Sequence, residues 1–158
     1  MKAVIQLVKK CVLYSDGVKH SEIEHGALIL FGVSKTDTID MVDKFAEKLL
    51  KLRIFDDENG KTNLNIFDTN GELLVVSNFT LYGDVKGYNR PCFMLSASHE
   101  QAEPIYDKLC KLLNEKVPTK TGVFRTNMQI EMIADGPSTY ILEMWLKVTF
   151  FLINTIKK

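Results

Sequence analysis

The sequence predicts a single-domain α+β fold, in which a mixed or antiparallel sheet curls into a barrel-like shape and carries two main helices. The predicted elements run strands, helix, strands, helix, strands, without the regular alternation that builds a parallel doubly wound sheet. At 158 residues the chain has the length of one domain and can bury a sizeable core. Residues 27–33 and 73–76 are apolar throughout, as expected of strands covered on both faces.

The N-terminal part of the chain is predicted to supply four strands. Residues 3–8 and 11–14 form the first two, and Ser15-Asp16-Gly17 is a turn signal that ends the second. Residues 18–23 are more polar and suit a short edge strand. The apolar run 27–33 is the central strand of this group.

An amphipathic helix is predicted next. Thr36 or Thr38 can cap it, and Asp37 and Asp40 lie near its positive N-terminal end. Its apolar residues recur at helical spacing and are Ile39, Val42, Phe45, Ala46, Leu49 and Leu50. The charged residues between them suit a solvated face.

Two short strands, 53–55 and 63–66, are predicted on either side of the acidic turn 56–61. This turn lacks the alternating ligands and the later bidentate glutamate of a calcium loop. No metal site is therefore predicted.

The stretch 73–81 is the one around which the chain is organised. It begins as a buried strand and ends in Ser77, Asn78 and Thr80, with Phe79 among them. A rigid strand that delivers short polar side chains to its end is a suitable platform for a reaction site. Alternatively, Ser77 and Thr80 only satisfy backbone groups where the strand ends. The loop 83–91 follows and can form a pocket wall.

Ser98 and Gln101 make a capping-box pattern at the start of a second helix. Pro104 conflicts with that start because it removes the bond to the Glu100 carbonyl, so either the first turn is irregular or the helix begins nearer Glu103. The predicted apolar face consists of Ala102, Ile105, Tyr106, Leu109, Leu112 and Leu113. A loop at 118–122 and strands at 127–134 and 139–146 complete the chain.

The composition excludes several classes of protein. The formal net charge is zero, which argues against a protein that wraps long nucleic acids but not against one that touches a nucleic-acid end. Cys11, Cys92 and Cys110 lack the spacing of a zinc or redox site and suit reduced thiols. Neither a signal peptide nor a membrane span is predicted, so we expect a cytoplasmic location.

The common enzyme templates are missing from the sequence. His20, His25 and His99 have no metal-ligand spacing, and there is no nucleophile elbow or phosphate-binding glycine loop. We predict no cofactor and no metal. An enzyme of this kind would act mainly through positioning and backbone dipoles.

Three segments remain, 77–81, 87–93 and 135–139, and with them the chain resembles a known family. Residues 77–81 match a Ser-Gln-Phe-Thr-Leu signature with Asn78 in place of Gln. Residues 134–139 match an Asn-x-Gly-Pro-Val-Thr signature with Ala134 in place of Asn and Ser138 in place of Val. Further matches are the opening residues 1–6, the segment 52–65 and the loop Lys120-Thr121-Gly122-x-Phe124. Over nearly its whole length the chain is similar to the D-aminoacyl-tRNA deacylases.

This resemblance implies hydrolysis of the ester that joins a D-amino acid, or glycine, to the 3′-terminal adenosine of a tRNA. It also implies a homodimer in which Gly136-Pro137 of one subunit reaches into the pocket of the other. In the family that peptide bond is cis, and its backbone carbonyls meet the substrate amino group and leave no room for an L side chain. Glycine permits such close approach because it has no Cβ. The composition of 135–138, taken without the resemblance, instead favours a four-residue hairpin turn.

The resemblance places the catalytic site at Ser77, Asn78, Phe79 and Thr80. Phe79 stacks on the adenine or is a plain core aromatic, and backbone N–H groups near Phe79 and Thr80 are candidates for an oxyanion hole. Since no base is available to activate Thr80, we expect water to attack the ester while the 2′-hydroxyl of the RNA helps to move protons. Arg90 meets a terminal phosphate or is solvated, and Pro91 and Phe93 complete the predicted substrate-binding residues.

Leu7 replaces an arginine that the family usually carries and that is thought to buttress the Gly-Pro loop. Together with Asn78 and Ala134, it motivates an alternative: a catalytically weakened relative that binds aminoacyl-tRNA 3′ ends, or another small ligand, without turnover. A dimerisation module without a ligand is a third reading. The family-like domain is predicted to span 1–144, and 145–158 is a C-terminal extension of unknown structure.

Overall fold

A curled, nearly closed mixed sheet forms the body of the protein, as predicted from the sequence. The computed structural model describes residues 1–87 and 89–145. The strands are β1 (Lys2–Ser15), β2 (Val18–Ile23), β3 (Gly26–Gly32), β4 (Phe55–Asp56), β5 (Thr62–Leu64), β6 (Glu72–Ser77), β7 (Thr119–Thr121) and β8 (Met128–Glu143). The two main helices are α1 (Val42–Leu50) and α2 (His99–Asn114), and short 3₁₀ helices cover Ile39–Met41 and Phe79–Tyr82.

Strand β1 lies at the centre of the sheet. It pairs antiparallel with β3 and β2 along one side and with β8 along the other. Strands β3, β6 and β7 run parallel to one another. The Ser21 hydroxyl in β2 donates a hydrogen bond of 2.6 Å to the Thr121 carbonyl in β7. This bond joins the two end strands of the path and brings the curled sheet close to closure.

An irregularity in β1 decides which side chains face the helices. Up to Leu7 the odd-numbered side chains pack in the cluster that contains the helices. Beyond it, Cys11 and Leu13 pack in a second cluster formed by strand residues on the opposite face. The pairing of β1 with β8 shifts register beside Lys9. Successive side chains of a strand point to opposite faces, so one extra residue here exchanges the faces to which odd- and even-numbered side chains point. The two strands predicted for this segment are therefore one strand whose alternation changes.

The larger cluster packs both helices against the sheet. Phe31 and Phe45 are almost fully buried there and meet edge to face, with ring centroids 5.4 Å apart. The Tyr106 hydroxyl of α2 donates a hydrogen bond of 2.9 Å to the Val75 carbonyl of β6. Helix α2 is thus held over β6 by a buried and satisfied polar contact.

Two C-terminal segments differ from the prediction. Thr119–Thr121, expected in a loop, form β7 beside β6. The strands predicted at 127–134 and 139–146 are one strand, because β1 is long enough to pair with both halves. Residues 135–138 therefore bulge from a continuous strand, and the hairpin-turn interpretation is wrong. Residues 146–158, which make up most of the predicted extension, lie outside the described residues.

The starts of the two helices also differ from the prediction. Thr38 precedes a 3₁₀ turn without a side-chain capping bond, and Ser98 precedes α2 in the same way. The Gln101 amide instead donates to the Asp37 carbonyl at 2.9 Å, so the capping-box prediction is wrong. Pro104 lies inside α2, and the carbonyl it leaves free belongs to the exposed Glu100. Among the described helices, none is long and apolar enough to cross a membrane.

The Met1 ammonium is buried against a buried carboxylate. It lies 2.7 Å from Asp37 Oδ2 and donates to the Met144 carbonyl at 2.8 Å. Burial lowers the pKa of the ammonium, and the attraction of Asp37 opposes that shift. Asp37 also accepts the Ser34 N–H at 2.7 Å. The chain start and the segment after β3 therefore hold each other in place.

Candidate active site

A cavity of about 720 Å³ lies where the parallel strands β3, β6 and β7 end. Each strand is followed by residues that line it: Phe31 and Val33 at β3, Ser77 to Thr80 at β6, and Phe124 to Met128 after β7. The start of α2 closes another side with His99. Crevices at the carboxyl ends of parallel strands are common ligand sites, because loops from several strands meet there.

The signature residues after β6 form a capped turn. The strand ends at Ser77, earlier than predicted, and Asn78 precedes the 3₁₀ helix Phe79–Tyr82. Asn78 Oδ1 accepts a hydrogen bond of 3.1 Å from the Thr80 N–H and another from the Thr80 hydroxyl. The Asn78 N–H donates to the Phe31 carbonyl at 2.7 Å. This network fixes the turn against β3 and occupies the Thr80 N–H.

The Phe79 N–H is the free amide of this turn, since it donates to no acceptor among residues 1–87 and 89–145. It points from the first position of the 3₁₀ helix, where backbone amides lack an intrahelical partner. Of the two amides that the sequence suggested for an oxyanion hole, only that of Phe79 is available for a ligand.

The Phe79 side chain is not a core aromatic. It is 51% exposed, lines the cavity and packs edge to face on Phe93, with ring centroids 5.1 Å apart. Phe93 supports Phe79 from the loop side, so the interpretation of Phe79 as a core residue is wrong. The exposed part of the ring remains free to contact a planar ligand.

Arg90 and Pro91 lie apart from the cavity. The backbone N–H and carbonyl groups of Asp84 and Cys92 exchange hydrogen bonds of 2.8 and 2.9 Å, which close the base of the loop. Arg90 and Pro91 are exposed beyond this closure and are not among the residues that line the cavity, and their role in binding substrate stays a prediction. Tyr88 of this loop lies outside the described residues.

Gly136 and Pro137 are also separate from the signature residues within one chain. Gly136 lines a different cavity of about 170 Å³, together with Leu7, His25 and Phe55. The peptide bond between Gly136 and Pro137 is cis. The predicted site residues 77–80 and Gly136 therefore line separate cavities of the chain.

Sequence reasoning missed the residues that follow β7. Arg125, Thr126 and Asn127 line the cavity, and Arg125 has a left-handed backbone with φ of 63°. Among residues 1–87 and 89–145, none that lines the cavity is acidic, so Arg125 gives the cavity a positive rim that suits an anionic ligand. A prediction of β7 beside β6 would have found these residues, since both strands end at the same edge.

The cavity offers no activated nucleophile among the described side chains. No serine, threonine or cysteine there hydrogen-bonds to a histidine. Cys11 and Cys110 are not among the lining residues. Burial raises the pKa of the Cys11 thiol to about 11 and that of Cys110 to about 12, so both thiols stay protonated near neutral pH. In the part of the chain that the structure covers, no group of three or more His, Cys, Asp or Glu residues could hold a metal ion.

Comparisons with known proteins identify the family to which the chain is similar. The model of the family described as D-Tyr-tRNA(Tyr) deacylase matches residues 4–143. A D-aminoacyl-tRNA deacylase of Thermosipho africanus is 46% identical over 146 residues, which cover 90% of this chain and 97% of that protein. One of Persephonella marina is 45% identical over 143 residues, with the same shares.

Two solved structures share the fold. A c-Myc DNA unwinding element binding protein superposes with a TM-score of 0.85 at 36% identity, over 91% of this chain and 99% of that one. A probable eukaryotic D-amino acid tRNA deacylase superposes with a TM-score of 0.78 at 14% identity, over 90% and 98% of the two chains. On the family match and the identities to its members, the chain belongs to the D-Tyr-tRNA(Tyr) deacylase family.

Proposed function

We propose that this protein hydrolyses the ester between a D-amino acid and the 3′-terminal adenosine of a tRNA, and so removes D-amino acids before they enter translation. The observation that carries the proposal is the family match over residues 4–143, which includes both signature segments. Glycine carried on a tRNA is a second substrate of the same class, because it too lacks an L side chain. The proposed location is the cytoplasm, where charged tRNAs are used.

The cavity beyond β6 suits the end of a single-stranded RNA. The half-exposed Phe79 ring offers a surface on which the terminal adenine can stack. Arg125 at the rim provides the positive charge for a phosphate, a role that the sequence had suggested for Arg90. Ser77 and Asn78 line the same cavity and are the residues proposed to border the ester.

The proposed reaction needs no covalent intermediate on the protein. A water oxygen bonds to the ester carbonyl carbon, the bond from that carbon to the ribose 3′-oxygen breaks, and a proton passes to the leaving oxygen with help from the 2′-hydroxyl. The free Phe79 N–H stabilises the negative charge that develops on the carbonyl oxygen. Thr80 holds the turn through Asn78 and is not the nucleophile.

We further propose a homodimer in which each cavity receives Gly136-Pro137 from the other subunit. Within one chain Gly136 borders another cavity, so the proposal needs a partner chain to bring the Gly-Pro segment to the ester. Along β8 the side chains of Met132, Ile133 and Ile141 are exposed by 48, 58 and 68%. Exposed apolar side chains along the strand that carries the Gly-Pro segment suit a subunit interface.

The proposal is tested by comparing hydrolysis of D-tyrosyl-tRNA and L-tyrosyl-tRNA, with EDTA present. We expect rapid loss of the D ester alone and no effect of the chelator. Loss of both esters would show that the protein hydrolyses aminoacyl-tRNA but does not distinguish D from L amino acids. A folded dimer that cleaves neither ester but binds a non-hydrolysable D-aminoacyl-adenosine would instead support the binding protein without turnover.

Asn78→Ala is expected to lower both stability and activity. Removal of the acceptor for the Thr80 N–H costs about 1 kcal/mol, the typical value of a lost N-cap, and lets the Phe79 amide move. We expect kcat for the D ester to fall at least about tenfold. Asn78→Gln restores the family residue and should retain most activity. Urea unfolding and single-turnover kinetics measure both effects, and an Asn78→Ala protein with unchanged kcat would show that the capped turn does not position the reacting groups.

A further inference from the structure

The Gly136-Pro137 segment receives little support from the backbone pairing around it. Strand β8 pairs with β1 at Ala134, opposite Val8, and again at Thr139, opposite Gln6. The four residues 135–138 therefore face a single residue of β1, Leu7. Their position must come from side-chain contacts, because the ladder on either side fixes only the ends of the bulge.

The side chain of Gln6 supplies those contacts. Its Nε2 donates a hydrogen bond of 3.3 Å to the Ser138 carbonyl, and its Oε1 accepts one from the Thr139 hydroxyl. Across the described part of the chain, no other side chain hydrogen-bonds to a backbone atom of 135–138. The Gln6 amide therefore holds the segment at Ser138, one residue beyond Pro137, and fixes the orientation of the peptide plane that contains the Ser138 carbonyl.

The neighbours of Gln6 contribute less. Lys9 Nζ lies 3.6 Å from Asp135 Oδ1, but these side chains are 65% and 40% exposed, so the ion pair is screened by water. Leu7 is 7% exposed and lines the cavity behind Gly136, where an aliphatic side chain can form no hydrogen bond. Of these three side chains, Gln6 therefore contributes most to the position of residues 135–138.

We propose that Gln6 is the positioning residue that holds Gly136-Pro137 in place and thereby sets the discrimination between D and L substrates. This inference rests on the proposed function, since it takes the segment as the wall that excludes L side chains. The Gly136-Pro137 segment can exclude an L side chain only if it does not move away from the substrate. Displacements of about 1 Å are enough to change reactivity strongly. Gln6 does not touch the substrate and acts through Ser138.

The test compares Gln6→Met, which keeps the length of the side chain and removes both hydrogen bonds, with the matched change Gln129→Met. Gln129 lies on the same strand pair, opposite Tyr14, and is exposed. We expect Gln6→Met to reduce the D/L ratio of kcat/KM about tenfold, the factor for one lost hydrogen bond, mainly because the L ester is cleaved faster. Gln129→Met should leave the ratio within twofold of the wild type.

Gln6→Glu separates the two hydrogen bonds, since it keeps the acceptor for Thr139 and loses the donor to Ser138. We expect the same loss of selectivity from this variant. It also serves as the second variant if Gln6→Met fails to fold.

Amide hydrogen exchange at Gly136, Ser138 and Thr139 gives a readout that does not depend on activity. It should accelerate about tenfold in either Gln6 variant. Unchanged exchange together with an unchanged D/L ratio would overturn the role of Gln6. If the wild type cleaves no D ester, the proposed function fails, and the exchange data alone decide whether Gln6 holds the segment.

Discussion

A Gly136→Ala protein is expected to lose at least about 100-fold of its activity on D-aminoacyl-tRNA while keeping its fold. Gly136 has φ of +113°, a conformation that L side chains rarely adopt. An added Cβ would lie 2.4 Å from Ser138 Oγ and 2.5 Å from Ser138 N. The segment must therefore move, and the wall that it forms in the proposed site moves with it. The strand pairing on both sides continues, so the fold should be kept, but the unfolding free energy should fall by at least the roughly 1 kcal/mol expected for an alanine at a positive φ.

Gly60→Ala is the matched control for this change. Gly60 also has a positive φ, +71°, but nothing lies within 4 Å of an added Cβ, and it belongs to an exposed turn away from both cavities. It should cost about 1 kcal/mol of stability and leave kcat/KM unchanged. Single-turnover deacylation of both variants makes the comparison. Full activity of Gly136→Ala would mean that the segment does not contact the substrate.

Mixing two impaired variants tests whether the proposed site combines residues of both chains. In a heterodimer of Gly136→Ala and Asn78→Ala chains, one cavity combines an intact turn after β6 with an intact Gly136 from the other chain. An equimolar co-refolded mixture should therefore be more active than either variant alone. No recovery, in a sample shown to contain heterodimers, would place both groups in the site of one chain and contradict the proposed dimer.

Asp37→Ala is expected to destabilise the protein by about 3 kcal/mol, the lower end of the cost of breaking a buried ion pair. The substitution leaves the Met1 ammonium buried without its carboxylate and removes the acceptor of the Ser34 N–H. The loss stays near the lower end because a buried amine can release its proton. Asp40→Ala, at an exposed position in the same segment, is the control and should change stability by less than about 0.5 kcal/mol. Urea unfolding measures both, and equal midpoints for the two variants would contradict the importance of the buried pair.

The pH dependence of the Asp37→Ala protein has a definite sign. Burial already lowers the pKa of the Met1 ammonium below its usual 8.0 in the wild type, and loss of the carboxylate lowers it further. Between that folded-state pKa and pH 8, the unfolded chain binds more protons than the folded one, so the unfolding free energy rises with pH. The urea midpoint of the variant should therefore increase more steeply from pH 6 to 8 than that of the wild type. A parallel pH profile would contradict this linkage.

The sequence alone identified the features that depend on residues close together along the chain. The periodic apolar residues of α1 and α2 identified both helices, because neighbouring turns of one segment create the pattern. The apolar run before Ser77 identified the central strand, and the signature residues 77–80 do line the cavity. The two signature segments also led to the family, which the comparisons confirm.

Features that depend on contacts between distant parts of the chain could be determined only from the tertiary structure. Strand β7 is three residues long and has no periodicity of its own, so its place beside β6, and that of Arg125 on the cavity, follow from packing alone. The continuity of β8 comes from its pairing with β1, which begins more than a hundred residues earlier. Local patterns carry no information on such contacts, since the hydrogen bonds and apolar surfaces that stabilise them exist only when the distant strands meet.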